Sequence, residues 1–324
     1  MSPAPLYLID ASIYIFQAYF SPYNTQSNQE GDDLSAFAGF VQFLLTLQRR
    51  ERPLAGAVAM DNALFTGFRH ALSADYKSNR ELPDENLALQ LGLCADAAAA
   101  LGWPVFASEL YEADDIIGTL ANQARTADAD GRMGSLCIVS RDKDLAQLIR
   151  TDDDVMWDFS GNRRRVRRQI EAELGLPTRS IPDYLGLVGD AVDCIAGVPG
   201  VGPVKARGLL AHFGTLEALF ENLHEVPGLP LRGASKLAAT LAAQEEQALL
   251  CKRLATIVQS PEACSEPFSV ARSPDLLLRR VDPGEFARVL TESGLANAPR
   301  YQRLCEELLN AFDDESASNR SAAS

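Results

Sequence analysis

Residues 6–20 read Leu6-Tyr-Leu-Ile-Asp-Ala-Ser-Ile-Tyr-Ile-Phe-Gln-Ala-Tyr-Phe20, a short apolar run followed by a longer apolar pattern. The four apolar residues Leu6–Ile9 are typical of a strand that is buried on both faces. The residues that follow, to about Phe20, fit an apolar helix. Asp10 lies between the two, so the pattern predicts an acidic side chain where a buried strand ends.

The same alternation of strand and helix continues through the first half of the chain. Further strands are predicted over Ala55–Met60, Val105–Phe106, Leu136–Val139 and Val155–Phe159, and helices over Leu34–Leu47, Leu87–Leu101 and Ala113–Ala127. Strands separated by helices indicate βαβ units and a parallel sheet. The predicted fold class is therefore α/β, with a three-layer core around a parallel sheet.

The second half has a different pattern. From about Ile181 it is helical, interrupted by Gly197-Val-Pro-Gly-Val-Gly202, and Ala234–Leu254 is predicted as one long helix. The Ser/Asp/Ala-rich residues 313–324 predict a disordered tail.

Composition excludes several classes of protein. The chain has 324 residues, enough to bury a sizeable core, and its 47% hydrophobic content is ordinary for a globular protein. It contains no apolar stretch long enough for a membrane span and no basic segment typical of a signal peptide. The six cysteines form no Cys-x-x-Cys pair. This argues against a zinc site or a disulfide framework and predicts reduced thiols in the cytoplasm.

Nine acidic residues fall in five short segments that also contain apolar residues. They are Asp10; Asp61; Glu112, Asp114 and Asp115; Asp142 and Asp144; and Asp190 and Asp193. Three of the segments follow predicted strands, and sites in open α/β sheets form beyond the carboxyl ends of the strands. Because buried carboxylates need compensation, the pattern predicts a cation site at this edge.

The chemistry of these residues favours a hard cation. The three histidines lie outside all five segments, and an all-oxygen set favours Mg²⁺ or Mn²⁺ over Zn²⁺. Two such ions can stabilise the attacking and leaving oxygens in phosphodiester hydrolysis. Each segment alone also fits a helix cap or solvated helix acids, but together they favour a metal site. Asp152-Asp-Asp154, by contrast, is predicted to be a solvated turn.

The net charge of −14 at first argues against nucleic acid as a partner. Nine of the 44 acidic residues, however, belong to the predicted metal segments, where bound divalent ions would change the local sign. The charge therefore does not exclude DNA, but it predicts weak non-specific binding.

Three motifs carry a specific resemblance. They are Tyr111-Glu-Ala-Asp-Asp-Ile-Ile-Gly118, Ser140-Arg-Asp-Lys-Asp-Leu-Ala-Gln-Leu148 and Gly189-Asp-Ala-Val-Asp-Cys-Ile-Ala-Gly-Val-Pro-Gly-Val-Gly202. With Tyr76-Lys-Ser-Asn-Arg80, they resemble the 5′ nuclease family, which includes flap endonucleases and the N-terminal 5′-3′ exonuclease domain of bacterial DNA polymerase I. The resemblance covers roughly residues 6–265 and implies a PIN-like nuclease core with a helix–hairpin–helix region.

The resemblance implies a role for each acid. Asp10, Asp61, Glu112 and Asp114 match the acids around a first metal ion; Asp142, Asp144 and Asp193 match those around a second; Asp115 and Asp190 match additional outer acids. The implied cofactor is a pair of Mg²⁺ ions, for which Mn²⁺ can substitute.

It also implies roles in binding DNA. Lys77 and Arg80 match catalytic residues near the scissile phosphate, spaced as on one helical turn, where they can stabilise developing charge. Tyr76 is expected to stack on an unpaired base. Gly200 and Gly202 match a DNA-binding hairpin, with Lys205 and Arg207 near the duplex backbone. In this family, the loop that matches residues 197–202 can also hold a K⁺ ion.

The same resemblance implies the domain organisation. We expect the nuclease core over residues 1–178, with a helical arch near 62–90; the helix–hairpin–helix region over 179–265; a helical extension over 266–312; and the disordered tail over 313–324.

Some positions depart from the family pattern. Gln17 stands where an arginine is frequent, and Val204 where a lysine is common, with Lys205 one place later. The arch segment is not basic. The only strongly basic run, 162–168, fits either a contact with duplex phosphates or a solvated hairpin edge that leads into a helix.

The sequence thus predicts a free-standing, monomeric enzyme of the cytoplasm, associated with the nucleoid when it acts. It would be a 5′-3′ exonuclease or flap endonuclease that hydrolyses branched or 5′-ended DNA by a two-metal mechanism. Two alternatives remain: a branched-DNA-binding protein with weak catalysis, and a PIN-type ribonuclease.

Overall fold

The computed structural model describes residues 4–22, 26–63, 65–127, 135–261, 264–299, 301 and 303. The predicted tail at 313–324 and the last residues of the predicted helical extension, 304–312, lie outside the described residues.

A six-stranded sheet forms the centre of the molecule. Its strands are β1 (Leu6–Asp10), β2 (Ala55–Ala59), β3 (Val105–Phe106), β4 (Leu136–Val139), β5 (Val155–Asp158) and β6 (Arg163–Val166). Their order is β3-β2-β1-β4-β5-β6, and all neighbours are parallel except β6, which runs antiparallel to β5. The predicted parallel sheet is confirmed, with one antiparallel edge strand added.

The helices surround this sheet and continue beyond it. They are α1 (Ala11–Tyr19), α2 (Ser35–Glu51), α3 (Phe68–Leu72), α4 (Glu85–Ala100), α5 (Ala113–Ala127), α6 (Arg167–Leu174), α7 (Ile181–Val188), α8 (Pro203–Phe213), α9 (Leu216–Glu221), α10 (Ala234–Ala243), α11 (Glu245–Ala255) and α12 (Pro283–Glu292). In the ranges that the structure covers, no helix has the length and apolar character needed to span a membrane.

Alternation along β1 shows why the core has three layers. Successive side chains of a strand point to opposite faces, and all five residues of β1 are buried. Tyr7 and Ile9 belong to the apolar core formed with α1, α2, α4 and α12, whereas Leu6 and Leu8 belong to the core formed with α5. The sheet is therefore covered on both faces, which confirms the α/β three-layer prediction.

The second half forms a helical region with its own apolar core, in which Leu187 of α7 packs with Leu209 of α8. The prediction of one helix over Ala234–Leu254 is wrong, because Gln244 leaves the helical conformation at φ −123° and ψ 16°. Leu241 of α10 belongs to the core of the helical region, whereas α11 contacts that core through Ala248 and the core formed with α5 through Leu254.

The basic run forms the edge of a hairpin, as one of the two interpretations predicted. Arg164 of β6 pairs with Glu51 at 2.7 Å and lies over the Trp157 ring, 4.0 Å from its centroid. Arg163 and Arg165 both pair with Glu173 of α6. These arginines fasten the edge strand to its neighbours, and α6 follows directly.

Asp154 is buried, so the predicted solvated turn at 152–154 is wrong at its last residue. Its Oδ1 accepts a hydrogen bond from the Leu136 amide at 3.1 Å, at the start of β4. Its Oδ2 accepts from Arg125 Nη2 at 2.7 Å and from the amides of Arg150 and Thr151. One carboxylate thus joins α5, β4 and the loop before β5.

We expect Asp154→Asn to lower the free energy of unfolding by about 2 kcal/mol at pH 7, since the half-buried Arg125 loses its ionised partner. Burial alone would raise the pKa of Asp154, but Arg125 and the backbone amides lower it below its ordinary value. Its contribution is therefore present above the unfolded pKa of about 3.9 and is lost as the pH falls through the folded pKa.

Urea unfolding of wild type and variant at several pH values measures this difference. Asp153→Asn, a change at the exposed neighbouring residue, serves as control. A difference between Asp154→Asn and wild type that stayed constant down to pH 2 would contradict the assignment.

Candidate metal centre

A cavity of about 710 Å³ lies at the edge of the sheet where the parallel strands end. Asp10 ends β1, Asp61 follows β2, and Asp142 follows β4. The cavity is lined by seven of the residues that the sequence predicts: Asp10, Asp61, Lys77, Arg80, Glu112, Asp114 and Asp142. Carboxylates far apart in the chain thus meet in one place, as parallel strands require.

Ser140 joins two of these acids. Its hydroxyl donates to Asp10 Oδ2 at 2.8 Å and accepts from the Asp142 amide at 3.0 Å. Asp142 in turn accepts from the Asp144 amide and so caps the short 3₁₀ turn that follows. Ser140 is fully buried. Sequence reasoning assigned it no role; its place directly after β4 was the available signal.

Glu112 precedes α5 and binds three donors. Lys77 Nζ lies 2.8 Å from its Oε1, the Tyr76 hydroxyl 2.9 Å from its Oε2, and Arg69 Nη1 3.4 Å from the same oxygen. Burial alone would raise the pKa of Glu112, but Lys77 and Arg69 lower it below its ordinary value. These two cations therefore favour the ionised form of Glu112.

The stacking role predicted for Tyr76 is wrong, because its side chain is only 3% exposed. The ring packs in the core on the α5 side of the sheet, and the hydroxyl serves Glu112. An unpaired base cannot reach it.

Lys77 and Arg80 lie on consecutive turns instead of the predicted helical turn. Lys77 has φ 51°, and its amide donates to the Asp193 carbonyl at 3.0 Å. Arg80 Nη2 binds Asp193 Oδ1 at 2.9 Å, and Lys77 Nζ lies 4.0 Å from Asp193 Oδ2. Both cations therefore lie between Asp193 and the acids of the cavity.

The remaining predicted ligands form a second group. Lys143 Nζ binds Asp190 Oδ2 at 2.8 Å, and the Val192 amide donates to Asp190 Oδ1 at 2.7 Å. Burial and then Asp142 raise the pKa of Asp144, to which Asp190 and Asp193 contribute further repulsion. The second group thus lies next to the first and has its own cation.

Asp115 faces Arg69 and does not line the cavity. Its Oδ2 accepts from Arg69 Nη1 at 2.5 Å and from the Glu112 amide at 3.1 Å. Its Oδ1 accepts from Arg69 Nη2 at 2.8 Å and from the Val258 amide at 2.9 Å. Asp115 is also fully buried outside the lining of the cavity, so the expectation of a metal-binding acid at this position is corrected. The sequence analysis missed Arg69, because this residue lies outside all the motifs that it quotes.

The acids of the two groups carry more negative charge than the neighbouring cations offset. Five of its acids have pKa values raised by burial and then by repulsion from neighbouring carboxylates: Asp10, Asp61, Asp114, Asp144 and Asp193. Within the described residues, Asp61 Oδ1 and Asp144 Oδ1 are buried without a hydrogen-bond partner. A divalent cation would stabilise the ionised form of these groups.

The spacing of the acids indicates which kind of cation fits. In the described ranges, no three acidic, histidine or cysteine side chains approach closely enough to bind one ion directly. Mg²⁺ usually retains several waters and is bound through one or two carboxylates. A hydrated Mg²⁺ therefore fits this widely spaced oxygen set.

The glycine hairpin between α7 and α8 is separate from the cavity. At Gly197, with φ 68°, a Cβ atom would lie 2.4 Å from the Gly189 amide nitrogen, so only glycine fits. Gly200 and Gly202 are exposed, with open space beside them. Lys205 Nζ binds the Gly200 carbonyl at 2.8 Å.

Arg207 is less available than predicted. Its Nε donates to the Leu174 carbonyl at 2.6 Å, at the end of α6. This contact ties α8 to the core and leaves Lys205 as the cation beside the exposed glycines.

Two family models match consecutive parts of the chain. Residues 5–175 match the N-terminal resolvase-like domain of 5′-3′ exonucleases, and residues 176–273 match their C-terminal SAM fold.

Relatives include the DNA polymerase I of Pseudomonas aeruginosa, 39% identical over 260 residues, which are 79% of this chain and 27% of that protein. A 5′-3′ exonuclease of Buchnera aphidicola is 28% identical over 253 residues, 78% of this chain and 86% of that protein. The chain thus spans about a quarter of the polymerase's length and most of the exonuclease's.

A solved structure with the same fold is the flap endonuclease of bacteriophage T5, in a pseudo-enzyme–product complex with DNA and metal ions. The TM-score is 0.60 at 16% identity, over 94% of this chain and 98% of that one.

We expect Asp114→Asn to raise the metal-free free energy of unfolding by about 1 kcal/mol, because it removes one buried charge from a repelling set. The same change should reduce the rise in melting temperature that Mg²⁺ produces. Thermal unfolding with and without Mg²⁺ measures both, with Asp153→Asn as control. A destabilised metal-free variant with an undiminished Mg²⁺ response would contradict the metal centre.

Proposed function

Because the chain belongs to the 5′-3′ exonuclease family, we propose that it hydrolyses DNA phosphodiesters near a 5′ single-strand/duplex junction, as an exonuclease or flap endonuclease. One observation carries the proposal: five of the predicted acids line one cavity beside Lys77 and Arg80. That combination fits the binding of divalent ions and of a phosphate between them.

The residues divide into two candidate ligand groups for Mg²⁺, with Mn²⁺ as a substitute. Asp10, Asp61, Glu112 and Asp114 would surround one hydrated ion, and Asp142, Asp144 and Asp193 the other, with most of these contacts made through waters of the ion. When bound, such ions lower the pKa of water and neutralise charge on the phosphate oxygens. Asp190 is already paired with Lys143, so its proposed part is to hold the loop that carries Asp193.

Lys77 and Arg80 contribute charge to the same reaction. The Arg80 side chain is 42% exposed although it pairs with Asp193, so it can turn toward a phosphate. The Lys77 side chain is 9% exposed and pairs with Glu112, so it acts from inside the cavity. Both would stabilise negative charge that develops on the scissile phosphate.

The hairpin supplies a second contact with DNA. The exposed Gly200 and Gly202 precede the N-terminus of α8, where backbone amides and the helix dipole favour an anion. We assign duplex phosphate binding to these amides and to Lys205. Arg207 supports them by holding α8 to the end of α6. A K⁺ ion bound by carbonyls of residues 197–202 is part of this proposal.

These parts suggest the organisation of the working protein. Residues 1–178 would be the nuclease core with its arch near 62–90, residues 179–265 the duplex-binding region, and residues 266–312 a helical extension. We propose a monomer that acts in the cytoplasm at the nucleoid.

Cleavage of a labelled 5′-flap duplex tests the proposal. In Mg²⁺, wild type should cut near the junction, and Asp114→Ala should lose at least about a hundredfold in single-turnover rate, as loss of one charge-stabilising group does. A matched single strand shows whether the junction is required.

Other outcomes favour the alternatives. Folded wild type that binds the flap but does not cut it, in Mg²⁺ or Mn²⁺, would leave a DNA-binding protein. Equal cleavage of single-stranded RNA without a junction would favour a PIN-type ribonuclease.

The duplex contact has its own test. Lys205→Ala should weaken duplex binding and reduce the slope of log affinity against log salt by about one, since one phosphate contact is lost. Arg280→Ala, a charge change at an exposed residue outside the duplex-binding region, is the control. Fluorescence anisotropy in Ca²⁺ at several salt concentrations measures the slope, and equal slopes for both variants would contradict the assignment.

A further inference from the structure

Arg69 is a buried cation outside the set that the mechanism uses. Its side chain is 3% exposed, and its guanidinium makes two parallel hydrogen bonds to Asp115. Its Nη1 also lies 3.4 Å from Glu112 Oε2. The remaining donors bind backbone carbonyls, Nε to Leu254 and Nη2 to Thr256, both at 2.8 Å. All three nitrogens have partners.

These contacts join three separate parts of the chain. Arg69 itself lies on α3, shortly before the turns that carry Lys77. Leu254 is near the end of α11, where unpaired carbonyls favour a cation. Asp115 lies in the first turn of α5 and also accepts hydrogen bonds from the amides of Glu112 and Val258.

Among the described residues that line the cavity, Glu112 is the one that hydrogen-bonds to Arg69 and Asp115. Asp115 holds its amide at 3.1 Å, and Arg69 lies beside its carboxylate. The orientation of Glu112, and of Lys77 bound to it at 2.8 Å, therefore depends on where the guanidinium lies. Because Arg69 is held by the end of α11, the helical region also contributes to that orientation.

We propose that Arg69 is a positioning residue that fixes Glu112 in the cavity, and that Asp115 acts by holding Arg69 and not as a metal ligand. The proposal rests on the proposed function for its catalytic consequence alone. Ion binding by the same site can be measured without any DNA.

A double-mutant cycle tests the proposal, with Arg69→Gln, Asp115→Asn and the double variant of the full chain. The first readout is the half-saturating Mg²⁺ concentration, obtained by fitting how the melting temperature rises with added Mg²⁺. The second is the single-turnover rate on a 5′ flap. Each single variant should raise the half-saturating Mg²⁺ concentration about tenfold, as loss of a group that orients a ligand does. The double variant should be no worse than the worse single variant, because both changes break one linkage.

Two results would overturn the proposal. If the increase in half-saturating Mg²⁺ concentration in the double variant equalled the product of the two single-variant increases, Asp115 would act on the ion independently of Arg69. If Arg69→Gln left the half-saturating concentration unchanged, Arg69 would not position Glu112.

Asp154→Asn is the matched control, since it breaks another ion pair of a buried acid, with the half-buried Arg125, at the start of β4, the end of that strand away from the cavity. It should lower the melting temperature without changing the half-saturating Mg²⁺ concentration. Should Arg69→Gln fail to fold, Arg69→Lys replaces it, because it keeps the charge but loses the two parallel hydrogen bonds. An unchanged Mg²⁺ requirement in Arg69→Lys would likewise overturn the proposal.

The two readouts separate this proposal from the proposed function. Wild type that binds Mg²⁺ but leaves the flap intact would remove the nuclease function, while the Mg²⁺ cycle still decides the role of Arg69. Wild type that cleaves the flap, together with additive effects of the two substitutions on Mg²⁺ binding, would support the nuclease function and remove the positioning role of Arg69.

Discussion

Mutual repulsion among carboxylates at the carboxyl edge of the sheet is the constraint on which the rest of the site depends. The fold forces it, because parallel strands end at one edge and Asp10, Asp61 and Asp142 stand at three such ends. Burial adds to the repulsion by removing water. Part of the charge is offset within the chain, by Lys77 at Glu112 and by hydrogen bonds such as the one that Ser140 donates to Asp10. The deficit that remains is what divalent ions would fill.

The cations that offset this charge also hold the molecule together. Arg80 and the Lys77 amide bind Asp193, which lies beyond α7. Arg69 binds the end of α11. The segment between β2 and α4 therefore contacts both the sheet domain and the helical region. A site built in this way depends on both regions, so the duplex contact that we propose at the Gly200 hairpin would share one framework with the acids of the cavity.

Much of the fold could be predicted because its signals are local. The bounds of β3, α5 and β4 were predicted as the structure has them, since apolar runs and turn residues mark them in the sequence. The break at Gln244 could not be predicted, because no glycine or proline marks it and the helix that follows it packs against two cores built from distant parts of the chain. The burial of Tyr76 and Asp154 likewise depends on neighbours that are distant in the chain.

By itself, the sequence determined the alternation of strands and helices, the placing of acids at strand ends and the oxygen-only character of the candidate metal set. These follow from residue type and spacing along a short stretch. Only the tertiary structure decided which acids face the cavity and which face a cation. Asp115 and Asp114 are adjacent in sequence, yet Asp115 is bound by Arg69, 46 residues away, which in turn binds a carbonyl 185 residues from it. Such partners are chosen by packing, and no local pattern encodes them.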